Sequence, residues 1–194
     1  MLETLLTGTN PFDANVMAFL QERLRTPFGD AVMPYFSYLA ELGLIWILIS
    51  VALLIRRRTR LTGVTVLCAV VLGLLLGQFL LKALIPRDRP FQAFPDLVQL
   101  LISPPSGHSF PSGHTAVSFA AATALFLGHK KLGIPALILA ALIGFSRSYL
   151  FVHWPTDVLA GAVLGVACAL LVHYLLPRFT KNVKWLQPEE PAAR

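Results

Sequence analysis

His153 and Asp157, four residues apart, form a pair that could carry out covalent chemistry. Pro155 suits the first turn of a helix, which would hold the Asp157 carboxylate near His153 and let it accept a hydrogen bond from one ring nitrogen. The other nitrogen would stay free to attack, as histidine does when it acts as a nucleophile. Arg147 lies in the preceding apolar stretch, where a cation is costly, so it is either functional or paired with an acid such as Asp157 or Glu41.

A second set of reactive groups lies at the start of another apolar stretch, where Pro111–His114 reads Pro-Ser-Gly-His. A helix beginning there would direct free backbone N–H groups and the Ser112 hydroxyl toward an anion. Gly113 would let an oxyanion approach the backbone closely, and His114 could exchange a proton at the same point. The simpler alternative is an ordinary helix start with Ser112 as its cap.

The same four-residue pattern occurs a second time, at Pro105–His108. Only Pro111–His114 leads directly into an apolar helix, whereas the first copy is typical of a Pro/Ser/Gly turn. We therefore assign the chemistry to the second copy and expect His108 at most to line the entrance of the site.

Lys82 and Arg89 provide two cations, seven residues apart, at the end of an apolar stretch. Alone, they would be explained by a lysine that reaches the membrane surface and by interfacial arginines such as Arg87. However, these cations fall on the side of the membrane that is normally poor in positive charge, which favours a role in binding phosphate.

The composition shows what kind of element must position these residues. Of the 194 residues, 56% are hydrophobic and only 13% are charged, and the mean hydropathy is +0.68. A soluble domain is normally much more polar, so the sequence predicts a membrane protein. The net charge of +6 lies mainly in short blocks beside apolar runs, which fits membrane topology and argues against nucleic acid as a partner.

The predicted fold is an all-α integral membrane protein with about five transmembrane helices. A shorter amphipathic segment, Asn15–Arg25, is expected to lie along the membrane surface. The chain would then comprise an interfacial N-terminal segment (residues 1–33), a transmembrane domain (34–178) and a polar cytoplasmic tail (179–194). The five predicted spans are about Tyr35–Ile55, Leu61–Leu81, Ser112–Gly128, Leu132–Val152 and Val158–Leu176.

Loop charges predict the orientation of these spans. Basic residues follow the first, third and fifth spans and so indicate three cytoplasmic ends. The Ile85–Pro111 loop and the Val152–Pro155 turn would then share the outer, periplasmic side of the cell membrane. The basic residues are Arg56, Arg57, Arg58, Arg60, Lys130, Lys131, Arg178, Lys181 and Lys184.

Together, the three clusters resemble the signature of the phosphatidic acid phosphatase type 2 superfamily, which reads K-x6-R-P, then P-S-G-H, then S-R-x5-H-x3-D. Lys82–Pro90, Pro111–His114 and Ser146–Asp157 match every fixed position, and the resemblance covers roughly residues 35 to 177. Many members of the family have six spans, whereas here a surface segment stands in place of the first.

The resemblance implies a phosphatase that needs neither a metal nor another cofactor. His153 would form a phosphohistidine, Asp157 would orient it, and His114 would protonate the leaving oxygen and then activate water. The phosphoryl oxygens would be held by Lys82, Arg89, Arg147, Ser112 and the Gly113 amide.

The expected partners are membrane lipids and a lipid phosphate substrate, with undecaprenyl diphosphate favoured. Phosphatidylglycerophosphate, phosphatidate and transfer of the phosphoryl group to another lipid stay open as alternatives. A lipid-phosphate binder or transporter without catalysis would need neither histidine, and the apolar spans argue against a soluble vanadate-dependent haloperoxidase. Glu41, near the outer end of the first span, would either contact a cation of the site or reach the headgroup region.

Overall fold

The protein is a helical bundle, seen here in a computed structural model that describes residues 8–186 except the side chains of Leu42 and Lys184. Within that range no β-strand occurs, which agrees with the predicted fold class. Helix α4 continues through a π-helical stretch to Leu84, so that Arg57–Leu84 is one continuous helical segment. The helices are α1 (Pro11–Phe19), α2 (Pro27–Leu39), α3 (Leu44–Ile55), α4 (Arg60–Leu74), α5 (Pro90–Ala93), α6 (Gly113–Gly128), α7 (Lys130–Tyr149) and α8 (Pro155–Thr180).

Several of these helices can cross a membrane. Within the described residues, Arg57–Leu84, α7 and α8 are each long and apolar enough, and α2 and α3, bent by 52° at the break between them, reach that length only when taken together. Helix α6 is apolar but has only 16 residues. The chain is therefore a multi-pass membrane protein whose helices overlap the five predicted apolar segments, although α6 is short for a span. The part of the predicted tail beyond Leu186 lies outside the described residues.

The first predicted span, Tyr35–Ile55, is wrong in its start and its continuity. Helix α2 already begins at Pro27, with the Thr26 hydroxyl accepting a hydrogen bond from the Gly29 N–H at 3.1 Å. It ends at Leu39, and Gly43 then adopts the left-handed backbone conformation with φ 71°. Because that conformation interrupts an α-helix, the chain changes direction before α3.

Helix α6 forms the centre of the bundle and packs against α4, α7 and α8. Its many alanines let these neighbours approach closely, and most of its residues are buried. Gly161 of α8 lies directly over the first turn of α6, where an added Cβ would come within 2.6 Å of the Ser112 carbonyl oxygen. Gly165, one turn further along α8, meets the backbone of α6 in the same way, so both glycines allow the two helices to pack closely.

The turn between α7 and α8 carries His153. Helix α7 ends at Tyr149 instead of continuing to Val152 as predicted, because Phe151 adopts a left-handed conformation with φ 61°. The backbone N–H groups of Val152 and His153 then both donate to the Arg147 carbonyl, at 3.1 and 3.2 Å. A non-glycine residue in this conformation is uncommon, and here its side chain is completely buried, which holds the turn in one shape.

Helix α1 covers this turn. Met17 of α1 and Leu20, in the π-helical turn that continues it, pack with Phe151 and Trp154 in one buried apolar cluster. The predicted interfacial segment Asn15–Arg25 is thus part of a longer helical element that begins at Pro11, and one side of that element faces the protein.

The opposite end of the bundle carries the basic residues that follow the spans. One cavity there is lined by Arg57 and Arg58 before α4, His129 between α6 and α7, and Thr180 at the end of α8. The α3–α4 junction, the α6–α7 junction and the end of α8 therefore lie together at one end of the bundle. The α7–α8 turn with His153 lies at the opposite end.

Candidate active site

His153 and Asp157 lie side by side, as their spacing predicts. Pro155 is the first residue of α8, and Asp157 lies in its first turn. The Asp157 Oδ2 atom accepts the Trp154 N–H at 2.9 Å and faces His153 Nδ1 at 3.5 Å, a distance longer than a good hydrogen bond. Both side chains are almost completely buried.

The second oxygen of Asp157 is bound by a residue that the sequence reading treated only as interfacial. Arg87 donates from Nη1 to Asp157 Oδ1 at 2.6 Å and to the Thr156 hydroxyl at 2.7 Å. Its guanidinium also lies 5.3 Å from the centre of the Trp154 ring. Asp157 is therefore held from both sides, by the Trp154 backbone and by Arg87.

Arg87 is in turn held by a residue of the N-terminal helix. Asp13 Oδ2 accepts from Arg87 Nη2 at 2.7 Å and from the Thr156 hydroxyl at 2.7 Å, and its Oδ1 accepts the Thr156 N–H at 2.8 Å. The Asp13 side chain is fully buried. Nothing in the sequence pattern of α1 separates Asp13 from an ordinary acid in the first turn of a surface helix, so sequence reasoning missed it.

Arg89 is buried and uses its guanidinium mainly to bind backbone. Its donors reach the carbonyl oxygens of Ser106, Gly107 and His108 in the loop and of Val152 in the turn, at 3.0 to 3.3 Å. The first copy of the repeated pattern is thus a loop held by Arg89, as the predicted turn requires. The His108 side chain is exposed, and only its backbone carbonyl contacts Arg89.

Arg89 also contacts the nucleophile candidate. Its Nη1 lies 3.2 Å from His153 Nε2. A guanidinium can only donate, so Nε2 accepts this hydrogen bond and the proton of a neutral His153 ring belongs on Nδ1, toward Asp157. Nε2 therefore carries the free lone pair of the ring and faces the cations.

Arg147 is buried in the last turn of α7, and its partner is neither of the acids considered in the sequence. Its Nη1 donates to the Ser37 hydroxyl of α2, and its Nε has no hydrogen-bond partner among the described residues. The charge of Glu41, which is exposed, acts on Arg147 without a direct ion pair. A buried cation that keeps an unused donor is suited to an anionic ligand.

Ser112 and Gly113 lie at the N-terminus of α6, where the sequence predicts a phosphate cradle. Ser112 is the N-cap, and its hydroxyl lies 2.8 Å from the Thr115 hydroxyl. Its N–H donates to the Asp157 carbonyl at 3.0 Å, which joins the first turns of α6 and α8. Gly113 faces Gln78, in the π-helical stretch that continues α4, so closely that an added Cβ would lie 2.6 Å from Gln78 Oε1.

Lys82 and His114 complete the set of predicted site residues. Lys82, at the end of the long Arg57–Leu84 helix, is close enough to feel the charges of Arg89, Arg147 and Asp157. His114 is partly buried and lies within electrostatic range of His153 and of the same cations. The structure therefore brings all three sequence motifs to one end of the bundle.

These surroundings set the charge of His153. Burial holds its pKa well below the ordinary value of 6.5, and nearby cations lower it further; they are Arg147, Arg89 and Lys82. Burial also lowers the pKa of Arg89, to about 10, so that Arg89 stays a cation at neutral pH. A neutral imidazole beside fixed cations can attack an anionic electrophile that these cations hold. Among the described residues, no group of three or more His, Cys, Asp or Glu side chains is arranged to hold a metal ion.

A helical membrane bundle with a buried, neutral histidine among fixed cations has the features of a membrane phosphoryl-transfer enzyme. Residues 62–181 match the PAP2 superfamily. The chain belongs to this superfamily.

Individual relatives agree with this assignment. The chain is 40% identical over 122 residues to the undecaprenyl-diphosphatase of Sulfolobus acidocaldarius, an alignment that covers 62% of this chain and 58% of the relative. Its fold is similar to the crystal structure of Aquifex aeolicus LpxE, with a TM-score of 0.75 and 29% identity over 87% of this chain and 98% of the other. It is also similar to the transmembrane PAP2 type phosphatidylglycerolphosphate phosphatase from Bacillus subtilis, with a TM-score of 0.69 and 28% identity over 93% of each chain.

Proposed function

We propose that this protein is a lipid phosphate phosphatase that works without a metal ion through a phosphohistidine at His153. The observation that carries the proposal is the environment of His153 Nε2: a buried, neutral nitrogen 3.2 Å from Arg89 and within range of two further cations. Phosphoryl transfer needs charge neutralisation and alignment of the attacking group, and fixed cations can supply both.

In the proposed reaction, the phosphoryl group of the substrate takes the place of His153 as the partner of Arg89. The negative charge of the phosphoryl oxygens is neutralised by Lys82 and Arg147. The Ser112 hydroxyl and the Gly113 amide donate hydrogen bonds to these oxygens. His153 Nε2 forms a bond to phosphorus while the bond from phosphorus to the leaving oxygen breaks, and His114 gives that oxygen a proton. Asp157, near Nδ1, stabilises the positive charge that develops on the ring.

The second half of the reaction restores the enzyme. His114, now neutral, takes a proton from a water molecule, and the water oxygen attacks phosphorus. The bond between phosphorus and Nε2 breaks, inorganic phosphate leaves, and the ring of His153 is again neutral. The order of events is the same whether the substrate is a phosphomonoester or a diphosphate.

Undecaprenyl diphosphate is the favoured substrate, and the enzyme would convert it to undecaprenyl phosphate and inorganic phosphate. The support is the 40% identity to an undecaprenyl-diphosphatase. The similarity in fold to a phosphatidylglycerolphosphate phosphatase keeps that glycerolipid as the second candidate.

The site would face the outer side of the cell membrane. The support is the distribution of charge: the cavity lined by Arg57 and Arg58 lies at the end of the bundle opposite to His153. Cytoplasmic loops carry an excess of such residues.

A substrate panel tests the proposal. Purified protein in detergent would be given polyprenyl diphosphate, phosphatidylglycerophosphate, phosphatidate and a water-soluble phosphate ester, each with and without a chelator. We expect phosphate release to be fastest from polyprenyl diphosphate and unchanged by the chelator. No release from any lipid would contradict the phosphatase, and loss of release only with the chelator would contradict the metal-free mechanism.

A further inference from the structure

Helix α1 contributes a carboxylate, Asp13, to the outer end of the bundle. Asp13 is fully buried and has three hydrogen bonds to Arg87 and Thr156, all of 2.8 Å or less. Burying a carboxylate is costly unless it is paired and hydrogen-bonded, and this one is satisfied by Arg87, in the loop before α5, and by Thr156 of α8 rather than by its own helix. Its position calls for an explanation beyond the anchoring of a surface helix, which the apolar contacts of Met17 and Leu20 already provide.

Asp13 and Asp157 share a single cation. Arg87 donates from Nη2 to Asp13 and from Nη1 to Asp157, with donor–acceptor distances of 2.7 and 2.6 Å. A guanidinium divided between two carboxylates neutralises each of them less than it would neutralise one. Asp157 therefore keeps more of its negative charge for the Nδ1 side of His153, which it faces at 3.5 Å.

Asp13 also fixes the position of Asp157. Its Oδ1 accepts the Thr156 N–H, one of the free N–H groups at the start of α8, and thus caps α8 from another helix. Thr156 directly precedes Asp157, and its hydroxyl contacts both Asp13 and Arg87. The first turn of α8 is consequently tied to α1 at the residue next to the orienting acid.

We infer that Asp13 is a positioning residue for catalysis: through Arg87 and Thr156 it sets the orientation and the effective charge of Asp157, and through Asp157 the basicity of His153. Helix α1 then takes part in catalysis indirectly, through the contacts of Asp13 with Arg87 and Thr156. The inference rests on the proposed role of His153 as nucleophile.

The effect of removing the charge of Asp13 has a defined sign. In Asp13→Asn, Arg87 would neutralise Asp157 alone, and one negative charge near the site would be lost. Both changes destabilise a protonated His153 ring and lower its pKa further. The other charged or titratable groups around the pair are Arg87 on the Asp157 side and Lys82, Arg89, His114 and Arg147 on the phosphate side. None of these residues is replaced in this variant.

The test compares Asp13→Asn and the milder Thr156→Val with the wild type in detergent. We expect Asp13→Asn to lower kcat by about tenfold to a hundredfold, as misplacement of a catalytic group does, with KM little changed. The acid limb of the kcat/KM profile should move to lower pH. Thr156→Val removes only the shared hydroxyl and should lower kcat less.

The matched control is Asp30→Asn, which breaks the ion pair of Asp30 with Arg25 in the same N-terminal region. The new amide oxygen can still accept the hydrogen bond that the Tyr149 hydroxyl, at the end of α7, donates to Asp30 Oδ1 at 3.0 Å. We expect its kcat and pH profile to equal those of the wild type. If both Asp13→Asn and Thr156→Val keep the wild-type kcat and pH profile, or if Asp30→Asn reproduces the loss, Asp13 has only a structural role and the inference is wrong.

A readout independent of turnover separates this inference from the proposed function. In protein labelled with ¹⁵N-histidine, the ring signals of His153 can be assigned by their absence in His153→Gln and then titrated. We expect Asp13→Asn to lower the pKa of His153. A lowered pKa in a protein that releases no phosphate from any lipid would contradict the phosphatase and support the positioning role. An unchanged pKa in an active protein would contradict the positioning role alone.

Discussion

At the scale of single residues, each histidine near the site has a different predicted role. His153 is buried beside Arg89, His114 lies at the start of α6, and the His108 side chain is exposed on the loop. The two copies of the Pro-Ser-Gly-His pattern therefore differ in their surroundings although they are identical in sequence.

Alanine substitution should separate the three histidines. His153→Ala removes the proposed nucleophile and should lower kcat by about four to six orders of magnitude. His114→Ala removes the proposed proton donor and should lower kcat by about a hundredfold to ten-thousandfold. His108→Ala should have a mild effect, because its side chain does not contact Arg89. Initial rates of phosphate release measure all three, and equal losses in His108→Ala and His114→Ala would overturn the choice between the two copies.

The low pKa of His153 leads to a pH prediction for Arg89. Only the neutral ring can attack, so activity should fall as the pH drops through the pKa of His153. Arg89→Gln removes one of the charges that lower this pKa, which should move the acid limb of the kcat/KM profile to higher pH, besides lowering the rate.

The shift in Arg89→Gln should be partial, since burial and Arg147 continue to act on His153. Arg178→Gln, at the far end of α8, is the control and should leave the profile unchanged. An acid limb that stays in place or moves to lower pH in Arg89→Gln would show that Arg89 does not set the charge of His153.

The residues of the three motifs could be predicted from the sequence because the proposed chemistry requires particular residue types at fixed spacings. Asp13 and Ser37 could not be predicted, because their contacts with Arg87 and with Arg147 join distant parts of the chain. An acid in α1 and a serine in α2 are common residues there, and only the folded arrangement gives them these partners.

At the scale of elements, the site depends on the close approach of the N-termini of α6 and α8. The Ser112 N–H donates to the Asp157 carbonyl at 3.0 Å, and Gly161 one turn later leaves no room for a side chain against Ser112. Small residues at a helix interface allow such an approach in membranes.

Gly161→Ala should therefore push the N-termini of α6 and α8 apart. An added methyl group 2.6 Å from the Ser112 carbonyl is expected to cost about 1–3 kcal/mol as overpacking. We expect a lower Tm in detergent and a lower kcat. Gly73→Ala is the matched control, because its new Cβ would meet its nearest neighbour, Ala120, at an ordinary 3.6 Å. Equal Tm values for both variants would contradict this packing argument.

The apolar segments were predictable as elements, but their exact ends were not. Hydropathy locates a span, whereas its ends depend on conformations such as φ 61° at Phe151 and φ 71° at Gly43. Glycine readily adopts the left-handed region, so the break before α3 carries a weak local signal, whereas the turn at Phe151 carries none. Its shape follows from the burial of Phe151 under α1.

At the scale of the whole molecule, the loop charges predict which end of the bundle faces the cytoplasm. Single cysteines at Ser106, in the loop bound by Arg89, and at Val183, after α8, can report the orientation in a background where Cys68 and Cys168 are replaced by alanine. A membrane-impermeant maleimide should label Ser106→Cys in intact cells and label Val183→Cys only after lysis. The reverse pattern would contradict an outward-facing site.

The central claim is that the phosphoryl group passes through His153. The most direct measurement uses polyprenyl diphosphate with radioactive phosphorus in its terminal phosphate. The wild-type protein is quenched during turnover in the presence of a chelator and digested, and the labelled peptide is then mapped. We predict a phosphoryl group that is stable in alkali on the peptide containing His153 and that is absent in His153→Ala. Continued turnover in His153→Ala, or label on a different residue, would contradict it.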